Sequence, residues 1–169
     1  MTSTDLKVMT DDKLAELLAE PSGRGWAACA AIWARIFVLS GPGWQKAPRL
    51  TGAVGDAFAL AVRRAAGMVD FAPDEGLVAE LESFDVEDDG TDEWQYMVDL
   101  MGMIEVAVRG ESLSSCVQRA ISVYLNQSFY ISGRKYGEAA GRPLRLTEVR
   151  QLLASDADWA RAVSFVRSL

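Results

Sequence analysis

The sequence predicts an all-α protein: a single domain over residues 1–169, built as a bundle of about seven or eight helices. Its 169 residues, half of them hydrophobic, suffice for one buried core and are too apolar for a disordered chain. Apolar residues recur at the three-to-four spacing of helices, and no strand-type alternation is sustained. Neither internal repeats nor low-complexity linkers divide the chain.

Caps, stripes and helix breakers place the first three helices. Thr10 is the expected N-cap of a first helix that ends near Ala19, before Pro21. The second helix ends at the turn of residues 40–43, and its stripe comprises Trp26, Ala30, Trp33 and Phe37. The third helix begins near Thr51, and its inward stripe comprises Val54, Phe58, Val62, Ala65 and Val69.

Three further helices follow the same rules. Pro73 suits the first turn of a short fourth helix over "PDEGLVAELESF". The fifth starts near Asp92, and its stripe comprises Trp94, Met97, Met101, Ile104 and Val108. The sixth starts at Ser112 and is expected to end near Ile131, before Gly133. Its stripe comprises Leu113, Val117, Ala120 and Tyr124.

The C-terminal third adds two helices, over "LTEVRQLLA" and "DADWARAVSFVRSL". Ser155 and Asp158 have the spacing of the N-cap and N3 positions of a capping box. The tryptophans on helical stripes are expected in the core: Trp26, Trp33, Trp94 and Trp159. Trp44 lies in a turn and is the tryptophan predicted to be exposed.

Composition argues against catalysis, cofactors and metal ions. The chain has no histidine, which removes the commonest general base and the Ser-His-Asp and Cys-His arrangements. With only two cysteines, a structural zinc site is not expected either. Cys29 and Cys116 lie in apolar helical stretches and are predicted to be buried free thiols, although a disulfide between them stays open. We therefore predict a protein that is not an enzyme.

The chain is also predicted to be cytoplasmic and free of membrane contact. Its longest apolar run, Trp26–Leu39, is interrupted by Arg35 and is shorter than the roughly 20 residues of a membrane span. The N-terminus, "MTSTDLKVMTDDK", is polar and acidic, unlike a secretory signal. The apolar run is expected to form a core helix.

Charge is distributed very unevenly along the chain. Residues 65–108 hold thirteen acidic residues and no basic one, a net charge of −13, whereas the flanking segments have net charges of +2 and +4. The sum is the formal charge of −7. Such segregation bears on the surface potential and on binding partners, not on the fold.

Two metal-binding patterns overlap the most acidic stretch, "ESFDVEDDGTDEWQYMVDL". Asp85, Glu87, Asp89 and Gly90 fall at positions 1, 3, 5 and 6 of a calcium-loop spacing. The closing position, normally a bidentate Glu, is Tyr96, so the calcium site would be weak. "DDGTD", residues 88–92, also has the lettering of the magnesium motif DDxxD of helical isoprenoid synthases, but glycine breaks the helix that such a motif needs.

The same stretch has a structural and a binding interpretation. In the first, Asp92 caps the fifth helix, Gln95 reaches back to it, and the remaining acidic side chains are solvated or paired with the basic C-terminal third. In the second, the acidic surface docks onto a basic protein, because an anionic face speeds encounter with a cationic partner and sets the register. The predicted contacts are Asp85, Glu87, Asp88, Asp89, Asp92 and Glu93.

Nucleic acid is not the expected partner. "FYISGRKYG" combines aromatic residues with Arg134 and Lys135, a combination that is able to contact phosphate. The two cations are better explained as complementing the negative end of the sixth helix, and the net negative charge opposes nucleic-acid binding.

Two segments, "GWAACAAIWARIFVLSG" and "PLRLTEVRQLLASDADWARAVSFV", resemble the all-helical immunity proteins of bacterial toxin–antitoxin pairs. The resemblance lies in composition and helix pattern and implies a small non-catalytic inhibitor of a basic toxin or nuclease-like partner. Two alternatives stay open. One is a divalent-metal-binding protein using the same carboxylates, and the other is a small-molecule sensor with a pocket lined by tryptophans and methionines.

Overall fold

The computed structural model describes residues 3–46, 48–67, 75–84 and 90–169. Within them the predicted all-α class is confirmed, since eight α-helices and one 3-10 turn, Gly41–Lys46, are present and no strand occurs. The helices are α1 (Ser3–Ala19), α2 (Ser22–Ser40), α3 (Pro48–Ala65), α4 (Glu75–Glu82), α5 (Asp92–Val108), α6 (Leu113–Ala140), α7 (Leu146–Leu153) and α8 (Ala157–Ser168).

Helices α2 and α6 form the centre of the bundle. Helix α2 packs against α1, α3, α5 and α6, and α6 packs in addition against α1, α5, α7 and α8. All eight helices contribute to one apolar cluster, whose largest fully buried side chains include Trp33, Tyr124, Leu100 and Ile104. The position of α6 between so many neighbours explains its length, because a helix of 28 residues reaches both ends of the core.

The apolar character of α2 follows from this central position. The segment Gly23–Gln45 is long and apolar enough to cross a membrane by length and composition, and 44% of its apolar window is buried inside the protein. The length of the shorter run Trp26–Leu39 is therefore not a sufficient argument against a membrane span. Burial is the better argument for a core helix, because the face that carries Cys29, Ile32 and Ile36 packs inside the core.

The third helix shows that its large residues do not mark its buried face. Val62, predicted to point inward, is 61% exposed, and Val69 lies outside the described residues. The buried positions of α3 are Leu50, Ala53, Val54, Ala57, Ala61 and Arg64. Three alanines allow α3 to approach α2 closely, so the packing selects the small side chains and leaves the larger valine in solvent.

Several predicted helix ends are wrong, and a local hydrogen bond or a packing contact explains each correction. Thr10 lies inside α1, which begins at Ser3, and its Oγ1 donates to Leu6 O at 2.9 Å. Gly133 does not end α6, which continues to Ala140. A Cβ at Gly133 would lie 3.0 Å from Val149 Cγ1, so this glycine permits close packing of α7 on α6.

The tryptophan prediction is reversed at two positions. Trp44 is buried, because the 3-10 turn folds it back onto α2, where it stacks on Phe37 with ring centroids 5.0 Å apart. Its Nε1 donates to Phe37 O at 3.0 Å. Trp94, predicted to be in the core, is instead partly exposed near the start of α5.

The two cysteines are free and buried, as predicted. Burial raises the pKa of the Cys116 thiol to about 11 and also raises the pKa of Cys29. Because the thiolate is the nucleophile, both groups are chemically quiet at neutral pH and serve as small apolar core residues.

Helix α8 is capped by Asp156, not by Ser155. Asp156 Oδ1 accepts a hydrogen bond from Trp159 N at 2.8 Å, and Oδ2 accepts one from the Tyr136 hydroxyl at 2.5 Å. Burial raises the pKa of this carboxyl, but the hydrogen bonds from Tyr136 and Trp159 outweigh it, so that the pKa is lowered overall. The ionised carboxylate is therefore the form that the fold stabilises.

Replacement of Asp156 by alanine is expected to lower the free energy of unfolding by about 1–2 kcal/mol, the usual cost of losing an N-cap. Because its pKa is lower in the folded than in the unfolded chain, the contribution is complete above about pH 4. It is lost as the pH falls through the folded pKa. Urea unfolding at a series of pH values measures both effects. The matched Ser155→Ala variant removes only an exposed hydroxyl bonded to Leu152 O and should be nearly neutral; equal losses in the two variants would contradict this cap.

Candidate functional site

The predicted docking residues divide into two groups. Asp85, Glu87, Asp88 and Asp89 lie outside the described residues. Asp92 and Glu93 are the first two residues of α5, where negative side chains interact favourably with the positive end of the helix dipole. The start of α5 is therefore the part of the predicted site whose geometry can be built.

Thr91, not Asp92, is the N-cap of α5. Its Oγ1 accepts a hydrogen bond from Trp94 N at 3.2 Å, and the backbone at Thr91 is extended as a cap requires. Gln95 does not reach back to the cap, because its Nε2 donates to Asp99 Oδ1 at 3.2 Å. This leaves the carboxylate of Asp92 for another partner.

That partner is Arg134, in the second half of α6. The two side chains form an ion pair, and each keeps about half of its surface in solvent, 40% for Asp92 and 52% for Arg134. An exposed pair of this kind contributes little to stability. The pair does neutralise the charge of Asp92 with the protein's own arginine. A binding partner would therefore meet an ion pair at Asp92 and not a free carboxylate.

Glu93 differs from Asp92 in this respect. It is exposed, and it forms no ion pair with any Lys or Arg whose side chain the structure describes. Trp94, the next residue, is partly exposed as well. Glu93 and Trp94 are consecutive residues in the first turn of α5, and their side chains leave the helix about 100° apart.

Arginines outside the acidic segment neutralise part of the rest of it. Glu80 pairs with Arg49 at 3.6 Å, and Glu82 and Glu105 both pair with Arg109. These pairs agree with the structural interpretation for the described carboxylates away from the start of α5. Not all of the segment's charge is available to a partner.

A cleft of about 460 Å³ lies between the start of α5 and the middle of α6, and Glu93 is not part of its lining. We call it the aromatic cleft; its lining comprises Gly90, Thr91, Trp94, Gln95, Gln127, Tyr130, Ile131 and Arg134. Tyr130 is 70% exposed, although its ring contacts Phe129 edge-on at 5.6 Å. An exposed tyrosine next to an accessible tryptophan is unusual on a purely solvated face.

Sequence reasoning missed Tyr130, although a signal for it was present. The inward stripe of α6 passes through Tyr124, and helical spacing continues it through residues 128, 131 and 132. Tyr130 falls off that stripe and so must face away from the core. The helix end predicted before Gly133 hid the outward orientation of Tyr130, because residues at a helix end have no defined outward face.

Metal binding finds little support around α5. Within the part of the chain that the structure describes, no three His, Cys, Asp or Glu side chains are close enough to hold an ion. Asp92, the described carboxylate of the magnesium pattern, is engaged by Arg134, and the calcium pattern would close at Tyr96, a partly buried phenol inside α5. The other carboxylates of both patterns lie outside the described residues.

The cations of "FYISGRKYG" are also engaged within the protein. Arg134 pairs with Asp92, and Lys135 Nζ lies 3.3 Å from Asp158 Oδ2 at the start of α8. The prediction that they complement the negative end of the sixth helix is wrong, because α6 continues to Ala140.

Fold and site together define the class as an all-α helical bundle with an accessible aromatic cleft beside an acidic segment. No family model matches the chain, and neither a curated protein nor a solved structure matches it. The resemblance to immunity proteins stays a prediction.

Proposed function

We propose that this protein is a cytoplasmic, non-catalytic inhibitor that binds a basic partner protein and occludes its cationic cleft. The proposed docking surface comprises the acidic residues 85–93, the start of α5 and the aromatic cleft. This is the function expected from the charge map, extended by the aromatic residues that lie next to the predicted contacts.

The exposure of Tyr130 is the observation that carries the proposal. Tyrosine and tryptophan dominate the binding energy of protein interfaces, because they bury a large rigid area at a small cost in side-chain entropy. Tyr130 exposes 70% of its surface next to Trp94, and both line one cleft. Solvation alone gives no reason to place two such rings together.

The charges around the cleft favour a cationic partner. Thirteen acidic residues lie between positions 65 and 108, and Glu93, one residue before Trp94, forms no ion pair with the described side chains. In an interface, aromatic anchors at the centre supply affinity and charged groups around them speed association and select the partner. The Asp92–Arg134 pair is placed to set the register of a polar contact on the same face.

The partner is to be isolated by expressing the protein in its native host and identifying what co-purifies by mass spectrometry. A basic toxin or nuclease in the eluate fits the proposal, but the decisive measurement is the dissociation constant of that complex against salt and against variants. Binding should weaken steadily as salt is added, because screening shortens the range of the acidic field.

Glu93→Lys and Tyr130→Ala are each expected to weaken the complex at least about tenfold, the effect of losing a charge contact or an aromatic anchor. Two changes serve as matched controls. Glu111→Lys reverses an exposed acidic charge beyond the far end of α5, and Val62→Ala trims an exposed apolar residue of α3. A complex that resists salt and binds both docking variants as tightly as the controls would rule out this surface.

A further inference from the structure

A second, larger cavity of about 660 Å³ lies where α2, α5, α6 and α8 meet. Its character differs from that of the aromatic cleft, because its floor carries an arginine and two tyrosines. Arg35 comes from α2, Tyr96 from α5 and Tyr124 from α6, while α8 closes one side with Asp158 and Arg161. Tryptophans and methionines do not line it, so it is not the apolar pocket considered from the sequence.

Arg35 is held in place by two contacts within the protein. Its Nε donates to the Tyr124 hydroxyl at 2.6 Å, and its guanidinium carbon lies 4.9 Å from the centroid of the Phe165 ring. Tyr124 is only 2% exposed, so this anchor is rigid. The guanidinium is therefore presented to the cavity in one orientation, with the Nη groups free of hydrogen bonds to other described residues.

Arg35 is the cation of this cavity that has no carboxylate partner among the described residues. Arg134 pairs with Asp92, and Lys135 and Arg161 both pair with Asp158. The third carboxylate of the lining, Glu138, is exposed and does not pair with Arg35. A partly buried guanidinium without an anion keeps a desolvation cost that an oxyanion ligand would offset.

Neutral hydroxyl donors line the same cavity. The Tyr124 oxygen accepts from Arg35, which leaves the phenolic proton free to be donated. Burial raises the pKa of Tyr96 to about 12 and also raises the pKa of Tyr124, so both phenols keep their protons well above neutral pH. Ser132, which is buried, adds a third hydroxyl to the lining. A fixed guanidinium in a cavity lined with hydroxyl donors is the chemistry of an oxyanion site.

We propose that this cavity binds a small organic molecule through a carboxylate or phosphate group, which pairs with Arg35 and accepts hydrogen bonds from Tyr96 and Tyr124. The volume of about 660 Å³ is in the range of small-molecule sites and leaves room for the rest of such a ligand. The cavity shares Gly90, Ile131 and Arg134 with the aromatic cleft and Asp92 with the predicted docking contacts. Arg35, Tyr96 and Tyr124 line only the cavity, so the anion site holds or fails independently of the proposed inhibitor function.

The direct test is a titration of isotope-labelled protein followed by NMR at the Nε–H resonance of Arg35. Inorganic phosphate and acetate are the two probes, and sodium chloride at equal ionic strength is the control for screening. A saturable shift of the Arg35 signal is expected with at least one anion, and the relative affinities distinguish a phosphate from a carboxylate site. Shifts that are absent, or that are spread equally over all surface cations, would overturn the proposal.

Variants separate this site from nonspecific attraction. Arg35→Met keeps an unbranched apolar stem against Phe165 and removes the charge, and it is expected to weaken anion binding at least tenfold. Because this variant lacks the Arg35 signal, its binding is followed at the backbone amide of Tyr96. Arg63→Gln removes an exposed charge from α3, a helix that contributes nothing to the cavity lining, and should leave binding unchanged. If Arg35→Met does not fold, Tyr96→Phe carries the test, because loss of one hydroxyl donor should weaken binding several-fold. Unchanged affinity in a folded variant of either kind would refute the site.

Discussion

Truncation of Trp33 to alanine is expected to lower the free energy of unfolding by about 3–5 kcal/mol, the usual cost of removing a buried aromatic side chain. Trp33 is 1% exposed at the middle of α2 and packs its indole against Phe58, with ring centroids 6.1 Å apart. Because α2 contacts α1, α3, α5 and α6, the resulting cavity opens at the centre of the bundle. Domains of this size are stable by only about 5–15 kcal/mol, so a large part of the total would be lost.

Urea unfolding followed by far-UV circular dichroism measures this loss without relying on tryptophan fluorescence. Trp94→Ala is the matched control, since Trp94 is partly exposed and should cost less than about 1 kcal/mol. The same control variant should weaken the complex with a basic partner, because Trp94 lines the aromatic cleft. Equal losses of stability in the two variants would contradict the assignment of one tryptophan to the core and the other to the surface.

Replacement of Gly23 by alanine should lower the free energy of unfolding by about 3 kcal/mol, the upper end of the range for overpacking. An added Cβ would lie only 2.3 Å from the backbone carbonyl oxygen of Ala65. That oxygen belongs to the last residue of α3, which cannot rotate out of the way as a side-chain tip could. The start of α2 and the end of α3 would have to move apart, and the packing between these two helices would be weakened.

The control for Gly23→Ala is the same substitution at Gly55, in the middle of α3. A Cβ at Gly55 meets no atom within 4 Å, and the residue is exposed. Alanine restricts the unfolded chain and favours the helix, so Gly55→Ala should raise the free energy of unfolding by about 0.5–1 kcal/mol. Urea midpoints that move in opposite directions for the two glycines are the expected result. A stabilised Gly23→Ala would show that α2 and α3 do not approach each other as closely as described.

Much of the local structure could be predicted because helix signals are local. The all-α class, the end of α1 near Ala19, the end of α2 at Ser40 and the start of α6 after Ser112 depend on spacing, caps and breakers within a few residues. Predictions failed where a distant contact decided the outcome. Glycine often follows the last residue of a helix. Gly133 nevertheless lies inside α6, where α7 packs against it.

The candidate site shows the same division more sharply. The sequence could point to Asp92 and Glu93 as acidic residues at a helix start, since that depends on neighbours alone. It could not separate them, because the partner of Asp92 is Arg134, more than forty residues away in the chain. Nor could it show that Trp94 and Tyr130, from two different helices, line one cleft.

By itself the sequence determined the helical class, the absence of histidine chemistry and the segregation of acidic charge into one quarter of the chain. These follow from composition and from periodicities that span one or two turns of helix. Only the tertiary structure decided which carboxylates are neutralised, which tryptophan reaches solvent and that Arg35 faces a cavity without pairing with a described carboxylate. The physical reason is that pairing and burial depend on which surfaces meet across the bundle, and that information is not carried by any short stretch of residues.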